Sequence, residues 1–170
     1  MGINRMTPLI IGLPRSRTAW LSVFMSQSGV YFHHEGLNGC KTINEYKEKV
    51  KGCGDSSTGL MSLGIDMIGD SKVVVIDKSK KELDQCIEWC NETYKVDSRS
   101  FILELNGLLL KTKGLHVKQS EINDRLEDIW TYLVKDKWND KYKNLVDFNI
   151  KVKSTGIDEE AAKALYESIQ

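Results

Sequence analysis

The chain has 170 residues, and its 24 basic side chains balance 24 acidic ones, leaving a formal net charge of zero. That length suits one domain, residues 1–170, able to bury roughly two-thirds of its unfolded surface. Zero net charge argues against a protein that works by neutralising nucleic-acid phosphates, and no apolar run approaches the ~20 residues of a membrane span.

The first 14 residues carry too short an apolar stretch for a secretion signal and are expected to begin the fold itself, in a soluble cytoplasmic protein. Pro8, Leu9, Ile10 and Ile11, with Gly12 just after, read as a strand covered on both faces. The basic, hydroxyl-rich loop Pro14-Arg15-Ser16-Arg17-Thr18-Ala19 follows. It enters a helix with Trp20, Leu21, Phe24 and Met25 at helical spacing. A helix N-terminus offers unpaired N–H groups and partial positive charge, so this order of elements predicts a phosphate or sulfate site. Cations there oppose the helix dipole unless an anion binds between them.

Residues 29–33 form the second expected strand, and His33, His34 and Glu35 lie at its end. Residues 40–51 are polar and suit a solvated helix or loop. Asp55 to Leu60 look like a helix start, with Asp55 or Ser56 as its cap. Val73, Val74, Val75 and Ile76 are the clearest buried strand, opening into Asp77, Lys78 and Ser79 before a helix through Leu83, Ile87 and Trp89.

Asp97 and Ser98 are expected to cap a helix that buries Phe101, Leu105 and Leu108. Leu115, His116 and Val117 follow Gly114 as a short strand. Ile122, Leu126, Ile129, Trp130 and Leu133 mark another amphipathic helix, and Asp158 would cap a terminal one. Trp89, Trp130 and Trp138 read as packing residues. Cys40, Cys53, Cys86 and Cys90 lack the paired C-x-x-C spacing of a zinc ribbon, so they read as reduced, packed thiols and no metal is expected.

Strands alternating with helices predict an α/β fold with a small, mainly parallel sheet. Ligands of such sheets gather beyond the strands' carboxyl ends. That rule selects Arg15, Ser16, Arg17 and Thr18, then His33, His34 and Glu35, then Asp77, Lys78 and Ser79. A Walker motif is missing: Gly12 is followed by four residues and then Arg17-Thr18, so the lysine that holds β and γ phosphates is not at its expected place.

The segment PRSRTAWL resembles the P-x-S-G-T-T-W-L loop that binds the 5′-phosphosulfate in P-loop sulfotransferases, most closely the short sulfotransferase-like proteins of bacteria and their phages. HHEG, DSS, VVVID and GLHVKQSEI before IWTYL continue the likeness in order. The resemblance implies a P-loop NTPase-like three-layer fold and transfer of a sulfuryl group from 3′-phosphoadenosine 5′-phosphosulfate to a hydroxyl or amine. The acceptor, a small molecule or glycan, is not specified by the sequence. The resemblance implies that Arg15 faces the leaving phosphosulfate, and that Ser16 and Thr18 hold the 5′-phosphate with Pro14, Arg17 and Ala19 in the same loop. His33, His34 or Glu35 would take the acceptor's proton.

The chain departs from that family at Arg17, where glycine is usual, and at Ala19, where a second hydroxyl is common. Asp77 stands where an arginine holds the donor's 3′-phosphate, with Lys78 as its substitute, and Gln85 replaces a serine. Two alternatives accompany this reading. One is a nucleotide-binding, kinase-like phosphotransferase. The other is a degenerate P-loop protein kept for binding or structure.

Overall fold

The computed structural model describes residues 7–63, 71–134, 137–145, 152–153 and 156–157. Strands β1 (Leu9–Gly12), β2 (Phe32–His34), β3 (Gly54–Ser57), β4 (Val73–Asp77) and β5 (Leu115–Lys118) form one sheet in the order β2-β3-β1-β4-β5. Every pairing is parallel: Ile10 sits opposite Ser56 on one side and Val74 on the other. Helices α1 (Thr18–Ser26), α2 (Ile43–Lys49), α3 (Lys80–Tyr94), α4 (Arg99–Lys111) and α5 (Leu126–Leu133) flank it. Short 3-10 segments cover Leu60–Leu63, Gln119–Arg125 and Asp140–Leu145, and β6 (Val152–Lys153) pairs antiparallel with β7 (Gly156–Ile157).

Side-chain alternation along the central strands makes the layers. Ile10, Val74, Ile76 and Val117 point to one face, where α1 contributes Leu21, Phe24 and Met25 and α5 contributes Ile129, Trp130 and Leu133. Trp130 is completely buried there, edge-on to Phe24 at 5.7 Å and stacked on Tyr142 at 4.6 Å. Leu9, Ile11, Val73 and Val75 point to the opposite face. There they meet Tyr46 of α2, Ile87 of α3 and Ile102, Leu105 and Leu109 of α4. The result is a three-layer α/β architecture. Residues 9–11 of β1 and 73–76 of β4 are all apolar because both faces there are covered.

Beyond the helix expected from Ile122, which starts at Leu126 after a 3-10 segment, three expectations are revised. First, β2 begins at Phe32, so His33 and His34 lie within the strand and their side chains take opposite faces. Second, residues 54–57 are not a helix start but a fully buried strand. Gly54-Asp55-Ser56-Ser57 holds this place because its polar atoms are bonded. Asp55 accepts from the Gly36 N–H and the Tyr46 hydroxyl, each at 2.9 Å, and the Ser56 hydroxyl donates to the Thr18 carbonyl at 2.7 Å. Gly54 also packs under Phe32, where an added Cβ would lie 2.5 Å from the ring. Third, α4 buries Ile102, Leu105 and Leu109, leaving Phe101 exposed.

The helix after the valine-rich strand begins with a capping box, Ser79 and Glu82 each bonding the other's backbone N–H. All four cysteines are free thiols, with Cys86 and Cys90 buried. The helix expected after Asp158 lies outside the described residues. Among the described residues, no helix is long and apolar enough to cross a membrane.

Candidate functional site: an arginine loop at the strand carboxyl ends

From β1 the chain passes through α1 to β2 at one edge of the sheet. From β4, on the other side of β1, it passes through α3 and α4 to β5. Strand order therefore reverses between β1 and β4, the position where open α/β sheets place ligands. A cleft of about 630 Å³ opens at the carboxyl ends, walled by loop residues 14–19 together with His34, Glu35, Thr58, Trp89, Tyr94 and Gln119.

The loop has an unusual backbone. Arg15 and Arg17 both adopt left-handed backbone, at φ 67° and 59°, which costs a non-glycine residue roughly 1–2 kcal/mol. Left-handed residues alternating with right-handed ones are the backbone from which concave N–H nests are built. No side chain caps α1, and its first N–H groups have no acceptor within the helix. Ser16 lies between the two arginines, fully buried, and its hydroxyl is the one buried side-chain polar atom among the described residues without a hydrogen-bond partner. Gly12 makes room beneath it, since a Cβ there would stand 2.9 Å from that of Ser16 and 3.3 Å from that of Ile76.

The cations around the loop have different surroundings. Arg15 is exposed, its guanidinium 5.7 Å from the centroid of the Trp89 ring. Arg17 lies 4.5 Å over Trp20 and donates to the Asn123 side-chain oxygen at 2.5 Å; burial lowers its pKa. Lys78 does not line the cleft. Its ammonium donates to the Arg15 carbonyl at 3.2 Å and to Gln119 Oε1 at 2.5 Å, and burial pushes its pKa down.

Asp77 is also outside the cleft. Its carboxylate lies 3.0 Å from His116 Nδ1, while His116 Nε2 lies 2.8 Å from the Thr112 carbonyl. Carboxylate and carbonyl both accept, an arrangement that suits a ring donating from both nitrogens; burial lowers the His116 pKa, but the bonds to Thr112 and Asp77 outweigh it and raise it. Asp77 is thereby bonded to His116 at the sheet edge, outside the cleft lining.

Of His33, His34 and Glu35, the last two reach the cleft and His33 does not. His33 packs edge-on against Tyr31 at 4.8 Å, and burial, then Lys49, lowers its pKa. Glu35 is a clamp rather than a free base. Its carboxylate accepts from the Thr58 N–H and hydroxyl at 2.6 and 2.7 Å, and from Ser57 Oγ and the Gly59 N–H at 2.9 and 3.1 Å. His34 lines the cleft with one ring nitrogen engaged by the backbone. Nδ1 lies 3.1 Å from the Ser56 carbonyl and must donate to it, which leaves Nε2 as the acceptor in the neutral ring.

Sequence reasoning missed Trp89, Tyr94, Thr58 and Gln119. The carboxyl-end rule, applied to β3 and β5 as well, selects Thr58 and Gln119. Trp89 carries no such signal, because it packs against the core on one side and meets the cleft on the other. Among the described residues no group of three or more His, Cys, Asp or Glu side chains is arranged to hold a metal ion.

Comparison of the chain with known protein families, with curated proteins and with solved structures finds no match in any of the three.

Proposed function

We propose that the chain is a sulfotransferase-like enzyme of P-loop architecture, binding a phosphosulfate-type anion in loop 14–19 and passing its sulfuryl group to a hydroxyl or amine. The observation that carries this reading is the unpartnered, buried Ser16 hydroxyl between two left-handed arginines. A buried hydroxyl without an acceptor or donor costs about 1–3 kcal/mol, and an oxyanion oxygen in the nest supplies the missing bond.

The residues fit the 5′-phosphosulfate of 3′-phosphoadenosine 5′-phosphosulfate, with Ser16, Thr18 and the loop N–H groups around the phosphate and Arg15 free to turn onto the group that leaves. That donor supplies an activated sulfur–oxygen bond. His34 Nε2 accepts the acceptor's proton as the new bond to sulfur forms. Arg15 and the α1 N-terminus face the electron pair left on the phosphate oxygen as the old bond breaks. Glu35 keeps the β3 turn and the cleft wall in place. The 3′-phosphate subsite is less developed, because Asp77 is paired with His116 and Lys78 is bonded to Arg15 and Gln119.

One observation favours a second reading, an anion-binding protein without transfer: Lys78 is already engaged at the loop backbone instead of facing the cleft. Calorimetric titration with adenosine 3′,5′-bisphosphate, ATP and inorganic sulfate separates the readings. The transferase binds the bisphosphate most tightly. Binding of sulfate alone leaves the second reading, and a preference for ATP with strict Mg²⁺ dependence shifts the reading to a phosphotransferase.

A further inference from the structure

Arg17 and Lys78 share a feature that the loop alone does not explain. Each half-buried cation donates to a neutral amide oxygen, Arg17 to Asn123 Oδ1 and Lys78 to Gln119 Oε1, both at 2.5 Å. Both amides belong to the single 3-10 segment Gln119–Arg125 that follows β5. Neither cation forms an ion pair among the described residues. Of the described acids, Glu82 is committed to the α3 capping box, Glu121 to Lys118 and Asp128 to Arg125.

The charge balance around the loop is therefore uneven. Arg15, Arg17 and Lys78 are positive, Asp77 is bonded to His116, and among the described residues the clamped Glu35 is the one acid that lines the cleft. Two amides, which satisfy donors without cancelling charge, hold two of the three cations. A carboxylate in either place would close the site by pairing with its cation.

Resting on the anion-loop reading, we propose that Gln119 and Asn123 are positioning residues that hold Lys78 and Arg17 un-neutralised, so that the site selects an anion with two linked acidic groups, a phosphosulfate or a diphosphate, over a lone oxyanion. A single oxyanion is served by the Ser16 nest and Arg15. A second linked group draws Lys78 or Arg17 from its amide, because a charged acceptor makes the stronger hydrogen bond.

Calorimetry of the full chain with inorganic pyrophosphate and inorganic sulfate tests this, using Gln119→Glu and Asn123→Asp against the uncharged Gln119→Met and Asn123→Leu. Wild type is expected to prefer pyrophosphate about tenfold or more. Each acidic variant narrows that ratio about tenfold, and each uncharged variant keeps it within about threefold. A ratio unchanged in the acidic variants overturns the proposal. An equal fall in the uncharged variants also overturns it, by showing the amides to be scaffold. Wild type that binds sulfate without preferring pyrophosphate removes this inference alone. Wild type that binds neither anion removes the anion-loop reading as well.

Discussion

His116 and Asp77 face each other across neighbouring parallel strands at 3.0 Å, and the second ring nitrogen of His116 is taken by the Thr112 carbonyl. Burial works against the charged ring, but the Thr112 carbonyl and the Asp77 carboxylate outweigh it and raise the His116 pKa above its ordinary 6.5. A raised folded-state pKa means that the stabilisation is complete below pH 6.5 and is lost as pH rises through the folded value. Melting curves between pH 5.5 and 8.5 should show wild type losing its advantage over His116→Asn as pH increases. A constant difference across that range contradicts a charged His116.

Asp55 acts in a different window. Burial pushes its pKa from 3.8 up to about 6, against the opposing bonds from Gly36 and Tyr46. The fold therefore favours the protonated acid, and Asp55 withdraws stability as pH climbs from 3.8 to about 6. Tyr46→Phe leaves a buried carboxylate oxygen without its donor and should cost about 1–3 kcal/mol, more at pH 8 than at pH 5. Urea unfolding at the two pH values measures this; an equal cost at both would contradict the raised pKa.

Gly12 gives a test of the loop floor. Gly12→Ala pushes a methyl group into Ser16 and against Ile76, with an overpacking cost of about 1–3 kcal/mol. Displacement of Ser16 should also weaken sulfate binding. Ser16→Ala removes the hydroxyl without the clash, so it should weaken sulfate binding while leaving the melting temperature equal to wild type or higher. A Ser16→Ala protein that binds sulfate normally would show that this hydroxyl does not meet the anion.

Arg15 and His34 separate binding from transfer. With a chromogenic sulfuryl-transfer assay, Arg15→Met should lower turnover roughly 10²- to 10³-fold. His34→Gln should lower it about 10²- to 10⁴-fold while leaving bisphosphate affinity near wild type. Unchanged turnover in His34→Gln would remove the proton-transfer role from the cleft.

The apolar strands β1 and β4 were legible in sequence because each is a short unbroken β-branched or aliphatic run bounded by loop residues. The same principle hid β3: Asp55, Ser56 and Ser57 read as a cap because their burial depends on partners from residues 18, 35, 36 and 46, which no local pattern reveals. On α4, Leu108, Leu109 and Leu110 offer overlapping helical faces, and the packing of the sheet chooses Ile102, Leu105 and Leu109. The site divided similarly. The arginine loop and His34, which line the cleft, are legible as positions at strand ends. The pairing of Asp77 with His116, and of Lys78 with the Arg15 carbonyl, are contacts between distant segments.

The polar strand β3 has a consequence for the order in which the sheet assembles. Between β2 and β1 it brings hardly any apolar surface, so early docking would strip water from Asp55, Ser56 and Ser57 before their partners had arrived. The β1-β4-β5 half carries the aliphatic side chains and can collapse first. The β2-β3 half then joins as a polar latch once α1, α2 and the Glu35 turn are in place. In pulse-labelling hydrogen exchange during refolding, amides of β4 should gain protection before those of β3.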